Sequence, residues 1–121
     1  MKEINWTGYG EISGSFWSIF TSSAEKRKIE VKIDKKYLWD LFVKQKEKCA
    51  LSNLPIKIDK FGKNKENINN NVFFASLDRI NSNIGYLPGN VRWVVREINL
   101  MKWKLTEKEF LFLCKKIDEN R

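Results

Sequence analysis

Histidine is absent from this chain of 121 residues, so the usual general base of hydrolytic sites is missing. Cysteine is nearly so, with only Cys49 and Cys114. Two cysteines without histidine cannot complete a four-ligand Cys/His zinc site, so no structural zinc is expected. A cytoplasmic setting argues against pairing them as a disulfide, and both read as small buried hydrophobes. No apolar run approaches the roughly 18 residues that suggest a membrane span. The opening stretch MKEINWTGYGEISGS also lacks the apolar segment of a signal peptide. The expectation is a cytoplasmic protein with no membrane contact.

What is present is globular. Hydrophobic residues make up 42% and aromatics 13%, including five tryptophans and eight phenylalanines, which argues against disorder. A chain of this length buries roughly two thirds of its unfolded surface and reads as one domain over residues 1–121. The formal charge is +8, with the excess concentrated in residues 34–58 and 76–105 and none in 106–121. A basic surface favours polyanions through counterion release. Ordinary solubility would explain the same charge.

The pattern predicts an α+β fold. EISGSFWSIFTSSAEKRK reads as a helix capped by Ser13 or Ser15, with Phe16, Trp17, Phe20 and Ala24 on one face and a break expected at Ser22 and Ser23. Ile29, Val31 and Ile33 alternate as in a short strand. Asp34 caps a second helix whose apolar face is Tyr37, Leu38, Leu41 and Phe42, with Lys44, Lys46 and Lys48 near its C-terminal end. CALSNLPIKI reads as a hairpin or turn with Asn53 left-handed. Residues 59–71 are polar and Asn-rich, a surface loop. VFFASLD and VRWVV then form two strands, with Pro88 and Gly89 at the central positions of a type II turn between them. REINLMKWK starts a helix with Ile98, Met101 and Leu105 toward the core. In the last helix, 106–119, Thr106 and Glu109 make a capping box and Phe110, Leu113, Cys114 and Ile117 line the packing face. Trp6, Trp17, Trp39 and Trp93 are expected in or near the core.

Residues 72–103 carry the chemistry. Asp78 ends the first strand, while Asn99 and Lys102 share a face of the following helix. Folding the hairpin onto that helix brings Asp78 and Asn99 together, and a carboxylate with an amide oxygen suits one Mg²⁺ or Mn²⁺ ion. Taken alone, the same residues admit a plainer account. Asp78 would pair with Arg79 or Arg92 on a surface, and Asn90 and Asn99 would serve as turn and cap residues.

The stretch SLDRINSNIGYLPGNVRWVVREINLMK resembles the ββα-metal core of the HNH endonuclease family. In particular it resembles a phage and bacterial subgroup reading LDRID, GY, GNV, WV and IN-x-MK. The resemblance extends over residues 8–115, through GEISGSFW, Ala24 and Arg27, and WDLFVKQKEKCALSNLPI. It implies a core motif at about 72–103, an N-terminal helical and strand extension at 10–58, and the C-terminal helix. It implies Asp78 and Asn99 as metal ligands, Asn90 as the residue bracing the loop, and Arg79 in the place of the base histidine. Asn81 stands where the subgroup has aspartate.

Arginine cannot act as an ordinary base, since its pKa exceeds about 12. Cleavage would then leave water activation to the metal, with Arg79 holding the scissile phosphate or its developing charge. Tyr86 would be an assisting group, although a free tyrosine titrates near pH ~10. The resemblance implies a DNA endonuclease acting on double-stranded DNA in a bacterial cell or phage-infected host. Arg79, Arg92, Arg96, Lys102 and Arg27 are the candidate DNA contacts, with the basic run at Lys44, Lys46 and Lys48 as an extension. Cutting both strands from one site would take a homodimer or two successive nicks. The alternative is an HNH-like module that lost its base and only binds nucleic acid.

Overall fold

A computed structural model describes residues 7–61 and 68–121. Among them are four α-helices and one two-stranded antiparallel sheet, an α+β arrangement. The helices are α1 (Gly14–Lys26), α2 (Lys35–Lys44), α3 (Arg96–Lys102) and α4 (Glu107–Glu119), and the strands are β1 (Ala75–Arg79) and β2 (Val91–Val95). None of these helices is long and apolar enough to cross a membrane.

Local signals set most boundaries. The Ser13 hydroxyl accepts the Phe16 N–H at 2.9 Å and caps α1. Ser22 and Ser23 do not break that helix, because Phe16, Phe20 and Ala24 pack one continuous face on the core and packing outweighs the weak propensity of serine. Asp34 caps α2 through the Tyr37 N–H at 2.8 Å. The Thr106–Glu109 capping box starts α4.

The expected strand at 29–33 does not form. Only Val31 makes a bridge, to Tyr86, through Tyr86 N–H to Glu30 C=O (2.8 Å) and Lys32 N–H to Tyr86 C=O (2.9 Å). The partner is a turn rather than a strand, so alternation in the sequence has no ladder to join. Gly85 is required at this contact, since a Cβ there would lie 2.5 Å from the Glu30 carbonyl oxygen. Asn53 is left-handed as expected, with φ 62°. The Asn-rich loop falls partly at residues 62–67, outside the described residues, and a short 3-10 turn spans Ile68–Asn70.

β1 and β2 pair with Leu77 opposite Trp93 and Asp78 opposite Arg92. Gly89 has φ 84°, and the Asn90 N–H reaches the Leu87 carbonyl at 2.9 Å, closing the type II turn in the connection. Trp93 is fully buried, stacks edge-on against Phe42 and donates from its indole N–H to the Leu38 carbonyl at 2.9 Å. The free edge of β2 is covered by side chains. Gln45 exchanges hydrogen bonds with the Trp93 backbone, and the Cys49 sulfur accepts the Val95 N–H. Burial pushes the Cys49 thiol up, but hydrogen bonds from Ser52, Val95 and Leu51 outweigh it and lower its pKa. Both cysteines are free, Cys49 buried and Cys114 half-buried.

Trp17 and Trp39 are partly buried against the core, near it as expected, and Trp6 lies outside the described residues. Two packing expectations need correction. Met101 is 63% exposed, because a seven-residue helix turns Asn99 and Lys102 toward the hairpin and Met101 away from it. On α4 only Phe110 is buried and Cys114 is half-buried, while Leu113 and Ile117 are exposed.

Candidate functional site

Asp78 is the centre of a buried charge cluster. Its Oδ2 accepts from Arg92 Nε at 2.9 Å and its Oδ1 from Lys102 Nζ at 3.2 Å. Arg92 continues through Nη1 to Glu107 Oε1 at 2.6 Å. The four groups form the chain Lys102–Asp78–Arg92–Glu107, whose formal charges cancel. Lys102 is 1% exposed and Asp78 is 4% exposed, a depth at which an unpaired charge would be costly. Burial works against the charged guanidinium of Arg92, yet Glu107 and Asp78 outweigh it and raise its pKa. The Arg92 Nη2 is buried and has no hydrogen-bond partner among the described residues.

This geometry corrects two expected DNA contacts. Arg92 and Lys102 are turned inward onto Asp78 and do not present charge to a ligand. The pairing of Asp78 with Arg92 does occur, but inside the protein and not on its surface. Arg96 lies over the Phe74 ring at 5.2 Å, with Glu97 at 3.6 Å. It borders a smaller neighbouring hollow instead of the main cleft. Lys44, Lys46 and Lys48 are exposed and lie off the cleft lining as well.

Asn99 is not a helix cap. It sits within α3 and directs its Nδ2 to Ser76 Oγ (3.0 Å) and to the Leu77 carbonyl (3.1 Å). That bond ties α3 to β1. It also orients the amide, so that Oδ1 lies on the other side and accepts no hydrogen bond among the described residues.

Asn90 holds the loop after β1 in shape. It is 7% exposed. Its Oδ1 accepts the Asn81 N–H at 2.8 Å, while its Nδ2 donates to the carbonyls of Asn81 (3.1 Å) and Gly85 (2.8 Å). Asn81 turns its own side chain to the Asn83 N–H at 2.9 Å. Arg79 closes the same loop from the other side, with Nη1 donating to the carbonyls of Ser82 (2.8 Å) and Ile84 (3.0 Å). Its guanidinium lies 5.7 Å from the Tyr86 ring centroid. Its Nε and Nη2 make no hydrogen bond among the described residues. Tyr86 is buried, meets Phe20 edge-on at 4.8 Å, and its hydroxyl accepts from Arg27 Nη2 at 3.0 Å.

These side chains line one cleft of about 770 Å³ between β1, α3 and the end of α1. Asp78, Arg79, Tyr86 and Asn99 contribute to its wall, and Arg27, Lys28 and Lys104 add three more cations. One carboxylate therefore faces four cationic side chains, a field suited to an anion. Lys28, Lys104 and Trp103 were not singled out from sequence. The basic residues flanking an aromatic in LMKWKL were the available signal.

The donor set fits a divalent ion only in a particular way. Each Asp78 oxygen holds one cation and retains a second lone-pair direction. Asn99 lines the same cleft, and its amide oxygen accepts no hydrogen bond among the described residues. Two hard oxygens of this kind would suit Mg²⁺ or Mn²⁺ with waters completing the shell. Among the described residues no three His, Cys, Asp or Glu side chains cluster to hold an ion by themselves. No family model, no curated protein and no solved structure matches this chain.

Proposed function

We propose that this protein is a small HNH-like endonuclease that hydrolyses DNA phosphodiesters in the cleft beside Asp78. On this reading β1, β2 and α3 form a ββα-metal core, and the chain works on double-stranded DNA in the cytoplasm of a bacterial cell or phage-infected host. The observation that carries it is the meeting of Asp78, Arg79 and Asn99 on one cation-rimmed cleft. The sequence resemblance names the same three residues. Asp78 and Asn99 would hold a divalent ion, whose chemistry there is Lewis-acid activation of the phosphodiester and of the attacking water.

The chain's own residues divide the remaining work. Arg79 is anchored through Nη1 by two loop carbonyls, so its remaining N–H groups are held in place for a phosphate oxygen. It stabilises charge developing on the phosphoryl group and does not take a proton. Arg27, Lys28 and Lys104 receive the flanking backbone phosphates. Asn90 fixes the loop from which Arg79 acts. Lys102 and Arg92 act through Asp78, setting the orientation of its carboxylate.

A second reading, a nucleic-acid-binding module without cleavage, is favoured by one observation. Both Asp78 oxygens already hold a cation, which weakens their pull on a divalent ion. Plasmid cleavage separates the two. Wild type should nick or linearise plasmid with Mg²⁺ or Mn²⁺ and not with EDTA. Arg79→Ala should lose activity by roughly a hundredfold or more, the scale of a removed oxyanion donor, with metal affinity retained. No cleavage by wild type, together with a salt-sensitive gel shift of the DNA, would leave the binding module as the function. Full activity of Arg79→Ala would remove its assigned role.

A further inference from the structure

We propose that the cleft takes an unpaired nucleotide, with its phosphate among the cations and its base stacked on Trp103. The inference rests on the nucleic-acid reading above and departs from it in one respect, replacing intact duplex with a single strand, or an unpaired stretch within a duplex, whose base is free to stack.

Trp103 ends α3 at the cleft and is 72% exposed. Nothing in the fold demands an indole there. The core tryptophan is Trp93, fully buried, and the residues beside Trp103 on α3, Leu100 and Met101, are exposed as well. The backbone even disfavours it. The turn over 102–105 is closed by the Leu105 N–H to the Lys102 carbonyl at 3.0 Å. Trp103, with φ 50° and ψ −122°, occupies its first central position. Those angles are those of a type II′ turn, where glycine is the favoured residue. A bulky side chain held in such a conformation on the edge of a cleft is a pointer to a ligand.

The chemistry of the surroundings identifies the ligand. Lys104 Nζ lies 5.4 Å from the Trp103 ring centroid, so an aromatic face and a cation are offered together. Arg27, Lys28 and Arg79 line the same cleft. Exposed aromatic rings beside a cationic groove bind single strands, since every base has a π-face and every nucleotide a phosphate. In an intact duplex the bases are stacked on one another and are not available to an indole on a rim.

The test uses the full chain in EDTA, so that binding is read without cleavage. Fluorescence anisotropy would follow a labelled oligothymidylate and a hairpin duplex of equal length, with Trp103→Ala, Trp103→Phe and Trp103→Gly beside wild type. Wild type should prefer the single strand. Trp103→Ala and Trp103→Gly should weaken strand binding by roughly five- to a hundredfold, while Trp103→Phe keeps most of it and duplex affinity stays unchanged. Trp103→Gly should also raise the melting temperature, which separates lost stacking from lost folding. Strand affinity unaffected by Trp103→Ala, or duplex bound as tightly as strand, would overturn this inference and leave the nuclease reading standing. Equal losses on strand and duplex would overturn it too, in favour of a wedge inserted into paired DNA. Failure of wild type to bind either oligonucleotide at low salt would remove the nucleic-acid reading itself.

Discussion

The two faces of α3 are the reverse of an ordinary amphipathic helix. The face turned toward the hairpin carries Asn99 and the 1% exposed Lys102, bound to Leu77 and Asp78 of β1. The face turned outward carries Leu100 at 74% and Met101 at 63% exposure. A surface helix is normally arranged the other way, apolar stripe inward. The inversion shows what the helix is for. Its inward side positions an acid and an amide, and it is held by a charge cluster, the Asn99 hydrogen bonds and one apolar side chain, Ile98, packed against the core. Its outward side is free of any packing duty. Perturbing the two faces should therefore have opposite kinds of consequence.

The largest effect is expected at the centre of the inner face. Asp78→Ala leaves Lys102 buried without its partner and removes the shared anchor of Arg92. Breaking a buried ion pair from one side costs about 3–5 kcal/mol, so this variant should lose that much stability in urea denaturation. A loss below about 1 kcal/mol, the range of surface ion pairs, would mean that the cluster is screened by water and that the contrast between the faces is weak. The same prediction bears on how cleavage experiments are read. An inactive Asp78→Ala protein would reflect folding as much as chemistry, which is why Arg79 is the better first target.

Asn99 comes next. Asn99→Ala removes two hydrogen bonds, one to Ser76 Oγ and one to the Leu77 carbonyl. The expected loss is about 1–2 kcal/mol, the scale of one or two net hydrogen bonds with a carbonyl left unmet. Thermal melting would check it. Stability equal to wild type would show that Asn99 is not needed to join α3 to β1. Any loss of cleavage in that variant would then belong to its free Oδ1.

Legibility in the sequence followed the range of the interactions. Asp34, Thr106 with Glu109, and Pro88 with Gly89 act over three or four residues, and each stands where the sequence placed it. The strand expected at 29–33 depended on a distant partner, and that partner proved to be the turn at Tyr86. Asp78 and Asn99 could be assigned to one site from spacing and resemblance. The inward turn of Lys102 and Arg92 could not, because it exists only once β1, β2 and α3 meet around one carboxylate. Trp103 escaped notice for a different reason. Its turn type is normally announced by glycine, and here the announcing residue is absent.

The smallest effect is expected on the outer face, and it decides whether the inversion is real. Leu100→Gln and Met101→Gln replace exposed apolar side chains with polar ones of similar length. Neither has a buried contact to lose, so each should change stability by no more than about 0.5 kcal/mol, as for ordinary surface positions. Urea denaturation of the double variant would read both at once. A destabilisation of about 2 kcal/mol or more, the scale of a core truncation, would place this face against something in solution, and the two sides of α3 would no longer differ in kind. A neutral double variant that still binds nucleic acid would leave Trp103, two residues beyond Met101, as the residue on this side that meets the ligand.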